Sequence, residues 1–338
     1  MLKFQPIEPE VLDAYVAKEH PEANFLQSSS WGKVYEADDK KVFYYGLYDD
    51  KKLIGSSVII LKPAKRGRYL EIPGGPILDW DGGIKNIRFF LSEVAKLAAE
   101  NNCVFVRMRP NIPDTEQHRK LALKLGLVQS PMHLHAEHTV MLDLTKSEEE
   151  LMTDMRRQTR YEVRRSAKLG IKVSYETGEK AFNEFYDLQL ETAERQGFIP
   201  SSRHFILAQS EVFGDKARIY TAELDGKVLS KGLILLRSPE AIYHEAASTM
   251  DGRKLPGAYA LQWQIIHDAK EMGLKRYNLF GIAPPNSPNH RYAGVTTFKT
   301  GFGGEQIAYL PAQDLVIKKM HYRLVHALEV ARKKKRHL

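Results

Sequence analysis

The stretch that decides the fold is Arg218-Ile-Tyr-Thr-Ala-Glu-Leu-Asp-Gly-Lys-Val-Leu-Ser-Lys-Gly-Leu-Ile-Leu-Leu236. Two β-rich runs joined by an Asp-Gly turn predict an antiparallel hairpin. The same plan occurs earlier in the chain, in Val42-Phe-Tyr-Tyr-Gly-Leu-Tyr-Asp-Asp-Lys-Lys-Leu-Ile-Gly-Ser-Ser-Val-Ile-Ile-Leu61. This repetition predicts that one structural unit occurs twice.

Each hairpin is followed by a helix-like stretch that leads into a buried-looking strand. Residues 91–102 lead into 104–109, and residues 261–273 lead into 276–280. Hairpin, helix and strand in this order form the heart of the acyl-CoA N-acetyltransferase (GNAT) fold. The chain is therefore predicted to be an α/β (α+β) protein of two tandem GNAT-like domains with a cleft between them.

The predicted boundary between the domains is a capping box, Ser147-Glu-Glu-Glu150, which opens an arginine-rich helix that ends at Gly170. The first domain is expected to comprise residues 1–146 and 315–338, and the second residues 147–314. Residues 315–332 are predicted to form a C-terminal helix, because they carry an apolar stripe at helical spacing: Ile317, Met320, Leu324, Leu328 and Ala331.

Composition narrows the class of protein. The 338 residues are 43% hydrophobic and 27% charged, as in soluble globular proteins, and leave room for about two domains. No run approaches the roughly 20 apolar residues of a membrane span, and the N-terminus lacks an apolar signal core.

Cys103 is the only cysteine, so no intramolecular disulfide can form, and we expect a cytoplasmic protein. The net charge of +8 favours anionic partners such as RNA, nucleotide phosphates or an acidic membrane.

One lysine stands among closely spaced glycines and aromatic residues. In Tyr292-Ala-Gly-Val-Thr-Thr-Phe-Lys-Thr-Gly-Phe-Gly-Gly-Glu-Gln-Ile-Ala-Tyr309, the glycines permit a sharp turn or a close approach of the backbone. Phe298 and Phe302 can shield Lys299 from water. A partly desolvated lysine is suited to stabilise developing negative charge.

Phe298-Lys-Thr-Gly-Phe-Gly-Gly304, followed by Tyr309 and Asp314, resembles the C-terminal signature of the FemABX family, the tRNA-dependent peptidoglycan aminoacyltransferases. Further segments resemble the family in the family's own order: Gln27-Ser-Ser-Ser-Trp31-Gly-Lys33, Arg160-Tyr-Glu-Val163, Lys168-Leu-Gly170, Thr192-Ala-Glu-Arg195-Gln-Gly-Phe198 and Tyr277-Asn-Leu-Phe-Gly281-Ile. No sustained heptad pattern is present, so the chain resembles the short FemX type, which lacks a coiled-coil arm. In that type the C-terminal segment returns to the first domain.

The resemblance implies an enzyme that moves alanine, serine or glycine from aminoacyl-tRNA to the stem-peptide amine of a peptidoglycan precursor. The acceptor would be UDP-MurNAc-pentapeptide or lipid II, and the product an interpeptide bridge. Because the donor is an activated ester, neither cofactor nor metal is expected. Two alternatives remain: an acyl-CoA-dependent N-acyltransferase of the same fold, and a non-catalytic RNA-binding protein. Arg253-Lys-Leu-Pro-Gly-Ala-Tyr259 is at most a trace of a coenzyme A phosphate loop, because proline removes an N–H that would bind phosphate.

The resemblance also implies roles for single residues, each weighed against an ordinary structural role. Lys299 is expected to stabilise the oxyanion of the tetrahedral intermediate, with Phe298 shaping the same site. Lys33 and Arg203 are expected to bind the diphosphate of the acceptor, although a solvated lysine is equally compatible with the first position. Tyr243 lines the acceptor pocket or belongs to the core.

The remaining candidates are basic. Arg109 stands where many relatives carry an acidic residue, and it would favour an acceptor with an extra carboxylate, such as diaminopimelate. Arg160 and Arg164 are expected to bind tRNA phosphates, and the basic segment 332–336 is expected to bind either tRNA or an anionic membrane. The alternative for both groups of residues is an ordinary charged surface in contact with solvent. His133, His135 and His138 do not predict a metal site, because strand alternation separates them and no fourth ligand is evident.

Overall fold

The computed structural model describes residues 1–64, 67–133, 135–288 and 290–336. Its strands are β1 (Leu2–Pro6), β2 (Lys41–Asp49), β3 (Lys52–Lys62), β4 (Tyr69–Ile72), β5 (Phe105–Met108), β6 (Val128–Gln129), β7 (His138–Asp143), β8 (Lys172–Glu176), β9 (Ala217–Leu224), β10 (Lys227–Arg237), β11 (Glu240–Ser248), β12 (Arg276–Gly281), β13 (Glu305–Ala308) and β14 (Gln313–Val316). Its helices are α1 (Pro9–Glu19), α2 (Ser29–Ala37), α3 (Ile84–Glu100), α4 (Glu116–Lys124), α5 (Glu148–Asp154), α6 (Arg157–Lys168), α7 (Gly178–Gln196), α8 (Arg203–Phe213), α9 (Gly257–Glu271), α10 (Ala293–Thr300) and α11 (Lys319–Arg336).

The first compact unit comprises residues 1–137, 284–291 and 308–338. Its sheet has the strand order β1-β2-β3-β4-β5-β14-β6, in which only β4 and β5 pair in parallel. Helix α3 presents Ile87, Phe90 and Val94, at helical spacing, to the buried side chains of this sheet. Burial of this stripe attaches the helix to the parallel strands.

The second unit comprises residues 138–283 and 292–307 and repeats this plan. Its sheet has the order β8-β9-β10-β11-β12-β7-β13, with β11 and β12 in parallel. Helix α9 buries Leu261 and Ile265 against strands that include Ile234 and Leu236. The predicted order of hairpin, helix and strand therefore occurs in both units, as β2-β3, α3 and β5, and as β9-β10, α9 and β12.

The strands beside β5 and β12 come from distant parts of the chain. Strand β14 pairs with β5, and Asp314 accepts two hydrogen bonds from the Arg107 guanidinium, at 2.8 and 2.9 Å. Strand β7 pairs with β12 in the second sheet. The units consequently divide after Glu137, and the first unit includes residues 308–338, whereas the sequence pattern predicts divisions at residues 147 and 315.

Two helix predictions need correction. The arginine-rich helix is interrupted, because Met155 and Arg156 are extended, with ψ of 147° and 148°, and the Met155 side chain is buried. The C-terminal helix begins at Lys319 rather than at residue 315, because Leu315 pairs with Val106 in the sheet. The capping box at Ser147 is present as predicted.

The predicted apolar face of the C-terminal helix is not the face that packs. Tyr322 and Val325 are buried against Val104 and Phe105. The residues of the predicted stripe are exposed instead: Met320 by 74%, Leu324 by 68% and Leu328 by 47%. Across the described part of the chain, no helix combines the length and the hydrophobicity that a membrane span requires.

Candidate active site

In the second unit the two parallel strands separate after a short paired segment. Strands β11 and β12 pair from Glu240/Arg276 to Ile242/Asn278. Beyond that point β11 contains a bulge at His244, since Tyr243 pairs with Ile234 and Glu245 with Leu233. The bulge and the separation leave a gap between the ends of the strands, in which side chains of both strands meet.

The β12 side of this gap has an unusual backbone. Phe280 has a φ of +59°, a conformation that is strained for an aromatic residue. The Asn278 side chain accepts a hydrogen bond from the Phe280 N–H at 2.9 Å and so stabilises the turn. The Phe280 ring lies edge-on to His244, with 5.7 Å between centroids. The turn directs the carbonyl group of Gly281 toward Lys299.

Lys299, the seventh residue of α10, is 8% exposed. Its Nζ donates to the carbonyl oxygen of Gly281 at 2.9 Å and lies 5.6 Å from the centroid of the Tyr243 ring. Desolvation by burial lowers the pKa of Lys299 to about 7, and no described carboxylate opposes this shift. An anion that forms beside the charged amine would interact with it strongly, because little water is present to weaken the interaction.

Aromatic side chains form one wall around the lysine. Phe298 packs edge-on against Tyr259 at 5.0 Å and against Phe302 at 5.2 Å, measured between ring centroids. Phe302 is fully buried, whereas Phe298 is half-buried and keeps one surface toward the cavity described next. Lys299 is thus buried near aromatic residues, and the ring recorded against its amine is that of Tyr243; shielding by Phe298 and Phe302 stays a prediction.

The glycines after Lys299 allow close packing. A Cβ atom at Gly301 would lie 2.3 Å from Thr159 Oγ1, and one at Gly304 would lie 2.5 Å from the Met141 carbonyl oxygen. Gly303 and Gly304 have φ of +82° and +81°, which favours glycine. The Gly-rich turn thus brings the end of α10 against α6 and β7, as the sequence predicts.

A cavity of about 570 Å³ opens beside Lys299 within the second unit. Its walls come from β11, from the C-terminal part of α7, from the start of α9 and from α10. The lining residues that matter for chemistry are Lys299, Phe298, Tyr243, Tyr259, His244 and Glu245. Of the predicted site residues, Lys299, Phe298 and Tyr243 thus lie together; Tyr243 also belongs to the hydrophobic core.

Glu245 is the main residue of this cavity that the sequence does not identify as a site residue. Its side chain is 17% exposed, and it accepts hydrogen bonds from Gln189 Nε2 and, at 3.5 Å, from Ser201 Oγ. Burial raises the pKa of Glu245 to about 7, and the two hydrogen bonds offset only part of this shift. A glutamate in a strand has no sequence signal that separates it from a surface glutamate, so only the fold identifies it.

The trace of a coenzyme A loop lies at the same cavity. Arg253, Leu255 and Ala258 line the cavity, and α9 begins at Gly257 directly after Pro256. Pro256 offers no side-chain cap and no N–H at this position. Ser230, also in the lining, has a buried hydroxyl without a hydrogen-bond partner among the described residues.

Arg203 lies elsewhere in the second unit. It is the first residue of α8, and its guanidinium donates to Asn183 Oδ1 at 2.6 Å and to Asp187 Oδ1 at 2.5 Å. It also lies over the Tyr186 ring, 4.6 Å from the centroid. Arg203 is therefore oriented by α7 and is absent from the lining of the Lys299 cavity.

Two predicted residues belong to the first unit. Lys33 on α2 is 48% exposed, and its Nζ lies 3.9 Å from Glu10 Oε1, a surface ion pair of little energy. Arg109 is 1% exposed and follows β5. Its Nε and Nη1 have no hydrogen-bond partner among the described residues, and its guanidinium lies 5.1 Å from the Tyr309 ring. Burial lowers the pKa of Arg109.

The two predicted tRNA-binding arginines differ in their surroundings. Arg160 is half-buried and donates to the carbonyl oxygens of Thr153, at 2.7 Å, and Met155 at the end of α5. Arg164 is exposed. Both line a concave surface that also includes Glu148, Glu149 and Trp263. Arg160 therefore has a structural role, and Arg164 is the freer cation of the two.

The histidines of the first unit pair with carboxylates. His133 Nδ1 lies 3.0 Å from Glu137, and His135 Nε2 lies 3.5 Å from Glu71. Within residues 1–64, 67–133, 135–288 and 290–336, no cluster of histidine, cysteine and acidic side chains has the arrangement of a metal site. Cys103 is buried, and burial raises its pKa to about 11, which disfavours a reactive thiolate.

Comparison with known proteins identifies related sequences over most of the chain. The sequence model of the FemAB family matches residues 7–228 and 225–330. The aminoacyltransferase FemA of Staphylococcus epidermidis (strain ATCC 35984) is 20% identical over 372 residues, which cover 84% of this chain and 89% of that protein.

Solved structures share the architecture. A crystal structure of FemX superposes with a TM-score of 0.82 at 16% identity, covering 96% of this chain and 100% of that chain. A tandem GNAT protein from the clavulanic acid biosynthesis pathway superposes with a TM-score of 0.59 at 13% identity, covering 94% and 99%. The predicted fold of two tandem GNAT-like domains is confirmed. The longest described helix, α7, has 19 residues, consistent with the short type.

Proposed function

The chain belongs to the FemAB family and is an aminoacyltransferase, and we propose that it transfers alanine, serine or glycine from aminoacyl-tRNA to the stem-peptide amine of a peptidoglycan precursor. The product is one residue of the interpeptide bridge. The acceptor is UDP-MurNAc-pentapeptide or lipid II. Charged tRNA as the donor places the reaction in the cytoplasm.

The observation that carries this proposal is the amine of Lys299, which is buried at the wall of a cavity. Its pKa is lowered by desolvation, and no described carboxylate offsets that shift. In the reaction the neutral acceptor amine attacks the ester carbonyl carbon, and the carbonyl oxygen becomes an oxyanion. The C–O bond to the tRNA ribose then breaks, an amide remains, and the proton lost by the amine ends on the released hydroxyl. Lys299 in its charged form stabilises the oxyanion.

Binding of the acceptor is assigned to three cations. Lys33 and Arg203 are proposed to bind the diphosphate, for which Arg203 has a guanidinium already oriented by Asn183 and Asp187. Arg109 is proposed to bind a carboxylate of the stem peptide. Its two buried nitrogen atoms that lack hydrogen-bond partners support this role, because buried N–H groups are unfavourable until an acceptor such as a carboxylate pairs with them.

The acidic group that matches Arg109 is the extra carboxylate of diaminopimelate. We expect the protein to prefer an acceptor with diaminopimelate over one with lysine. Arg109→Asp should reverse this preference, measured as the ratio of kcat/KM for the two UDP-MurNAc-pentapeptides. An unchanged ratio would contradict the role of Arg109 without touching that of Lys299.

Membrane contact through α11 favours the lipid-linked acceptor. Met320, Leu324 and Leu328 form one exposed stripe at four-residue spacing, with exposed cations on the same helix at Lys319, Arg323, Arg332 and Lys334. An apolar stripe flanked by cations binds the surface of an anionic bilayer.

Vesicle sedimentation tests this contact. The protein should sediment with phosphatidylglycerol vesicles and remain in the supernatant with phosphatidylcholine vesicles. Leu324→Glu should abolish sedimentation, whereas Leu123→Glu, at an equally exposed leucine of α4, should not. Equal sedimentation of both variants contradicts the membrane role of α11.

An acyl-CoA donor is the second candidate. It is favoured by the GNAT-like fold and by the position of residues 253–259 at the Lys299 cavity. It is disfavoured by Pro256, which lacks the N–H that a phosphate would need. The third candidate, an RNA-binding protein without catalytic activity, does not explain why Lys299 is buried at a cavity.

The experiment that separates these candidates uses the purified protein with UDP-MurNAc-pentapeptide or lipid II. One arm contains a mixture of charged tRNAs and the other contains acetyl-CoA, and mass spectrometry reads the mass added to the muropeptide. Addition of one amino acid in the first arm supports the proposal. Acetylation alone supports the second candidate, and tRNA binding without any added mass supports the third.

A further inference from the structure

The Lys299 cavity carries charges of both signs. Lys299 lies on α10, and Glu245 lies on β11 within the same lining. Gln189 and Ser201 orient the Glu245 carboxylate from α7 and from the segment before α8. A cavity with a cation at Lys299 and a carboxylate at Glu245 suits a ligand that has both a negative and a positive group.

The donor of the proposed reaction has this pair of charges on groups attached to neighbouring carbon atoms. In the transition state the former carbonyl oxygen is negative, and the α-amino group on the next carbon is an ammonium ion. We propose that Glu245 binds the α-ammonium group of the donor's aminoacyl moiety while Lys299 faces the carbonyl oxygen. This assignment rests on the proposed function and names the chemical class that the cavity accepts, an α-amino acyl ester.

Two features of the site fit an ammonium receptor. The Glu245 carboxylate accepts hydrogen bonds from Gln189 and Ser201. The basic side chain beside it is His244, whose Nε2 lies 3.8 Å from Oε1, beyond hydrogen-bond distance, and no arginine or lysine forms an ion pair with it among the described residues. A bound ammonium ion would supply the missing positive charge, and it would also reverse the rise that burial imposes on the Glu245 pKa. The aromatic rings of Tyr259 and Phe298, which pack against each other, add apolar surface to the same cavity.

The test compares donors with and without the α-amino group. Alanyl-tRNA can be converted into lactyl-tRNA, in which an α-hydroxyl replaces the amine and the reacting ester is unchanged. Wild-type protein should prefer alanyl-tRNA in kcat/KM. In Glu245→Gln, kcat/KM for alanyl-tRNA should fall about 10- to 100-fold, the effect of one lost charged hydrogen bond, while the value for lactyl-tRNA changes less than about threefold.

Glu240→Gln is the matched control. Glu240 is on the same strand, its pKa is also raised by burial, and it pairs with Asn278 and Arg276 instead of lining the cavity. This variant should keep the preference of the wild type. Glu245→Asp retains the charge and should retain part of the preference, which identifies a loss caused by charge rather than by misfolding.

A binding measurement separates this inference from the proposed function. The probe is alanyl-adenosine in which an amide replaces the ester, together with its lactyl counterpart, measured by isothermal titration calorimetry. Tighter binding of the alanyl probe, lost in Glu245→Gln, supports the ammonium site even where no transfer is detected. Equal binding of both probes by the wild type overturns it. An equal fall of kcat/KM for both tRNA donors in Glu245→Gln also overturns it, because that pattern indicates a general base.

Discussion

The two units share a strand order and differ where their parallel strands separate. In the second unit the gap beyond β11 and β12 leads into the cavity that contains Lys299 and Glu245. In the first unit a smaller cavity of about 120 Å³ lies beyond β4 and β5; Gly74 and Asn111 line it, and its lining contains no lysine. The neighbouring backbone of β3 and of Pro73 is covered by a buried side chain. Buried Gln27 donates to the carbonyl oxygens of Val58, at 3.2 Å, and Pro73, at 2.7 Å, and accepts from the Val58 N–H at 2.9 Å.

A buried glutamine occurs at both sites, but its partners differ. Gln27 bonds only to backbone groups, those of Val58 on β3 and Pro73 after β4, and a Cβ at Gly75 would lie 2.5 Å from its side chain. Gln189 bonds to the Glu245 carboxylate and so orients an ionisable group at the cavity. The same fold therefore accommodates one glutamine that completes backbone hydrogen bonds and one that orients a charged group at a cavity.

The largest effect is expected at the open site. Lys299→Met should lower kcat for aminoacyl transfer by about 100- to 1000-fold, because one oxyanion-stabilising group is lost. Rapid-mixing single-turnover assays measure this rate. Lys231→Met removes another buried lysine of the same unit, one that pairs with Glu184. Its folded fraction should transfer at the wild-type rate; equal loss in both variants would assign the effect to folding.

Replacement of Gln27 should change stability rather than the rate of transfer. Gln27→Ala leaves three buried backbone groups without partners and should lower the free energy of unfolding by about 3 kcal/mol. Urea denaturation measures this change, with exposed Gln129→Ala as a control that should change it by less than about 0.5 kcal/mol. A loss of transfer rate in the folded Gln27→Ala protein would show that the two sites are less distinct than we infer.

The pH dependence of stability tests the buried charge of Lys299. Its pKa is about 7 in the folded protein and about 10.4 in an unfolded chain. Between these values the unfolded state binds more protons, so stability rises with pH. From pH 7 to pH 9 the unfolding free energy of the wild type should rise by roughly 2 kcal/mol relative to Lys299→Met. Parallel curves for the two proteins would contradict the lowered pKa.

Filling the cavity should weaken donor binding more than it changes folding. Gly294 lines the cavity, and a Cβ there meets no atom within 4 Å. Gly294→Phe should raise KM for aminoacyl-tRNA about tenfold, the effect of roughly 1.4 kcal/mol of lost binding. Thr297→Phe, on the exposed surface of the same helix, should leave KM unchanged. No effect in either variant would place donor binding outside this cavity.

The smallest effect concerns the exposed arginine of α6. Arg164→Ala should weaken tRNA binding and reduce the slope of log K against log salt by about 1, because one phosphate contact is lost. Arg160→Ala should chiefly lower stability, since Arg160 bonds to carbonyl groups at the end of α5. Filter binding at several salt concentrations measures both slopes.

Local sequence signals predict the elements that form from neighbouring residues. The Asp225-Gly226 turn between two β-rich runs and the capping box at Ser147 depend on adjacent residues and are present as predicted. The domain boundaries differ from the prediction because β7 pairs with β12 and β14 pairs with β5. Each of these pairs joins segments more than 100 residues apart in the sequence, and no local pattern encodes such a pairing. For the same reason Leu315 was assigned to a helix, although it pairs with Val106 in a sheet.

The site was predictable to the extent that its residues are unusual in sequence. Lys299 stands among glycines and aromatic residues, and the family resemblance adds weight to that pattern. Glu245 stands between a histidine and an alanine on a strand, where a glutamate is ordinary. Its raised pKa arises from burial beside α7, a property of the folded chain.

The most direct test of the contrast between the two gaps is to locate the donor end on the protein. Chemical shifts of ¹³C-methyl and aromatic groups, recorded during titration with the amide analogue of alanyl-adenosine, report where it binds. The account predicts saturable shifts of Phe298, Tyr259 and Tyr243 and none at Phe25 or Leu26 beside Gln27. Shifts confined to the first unit, with the Lys299 cavity unperturbed, would contradict it.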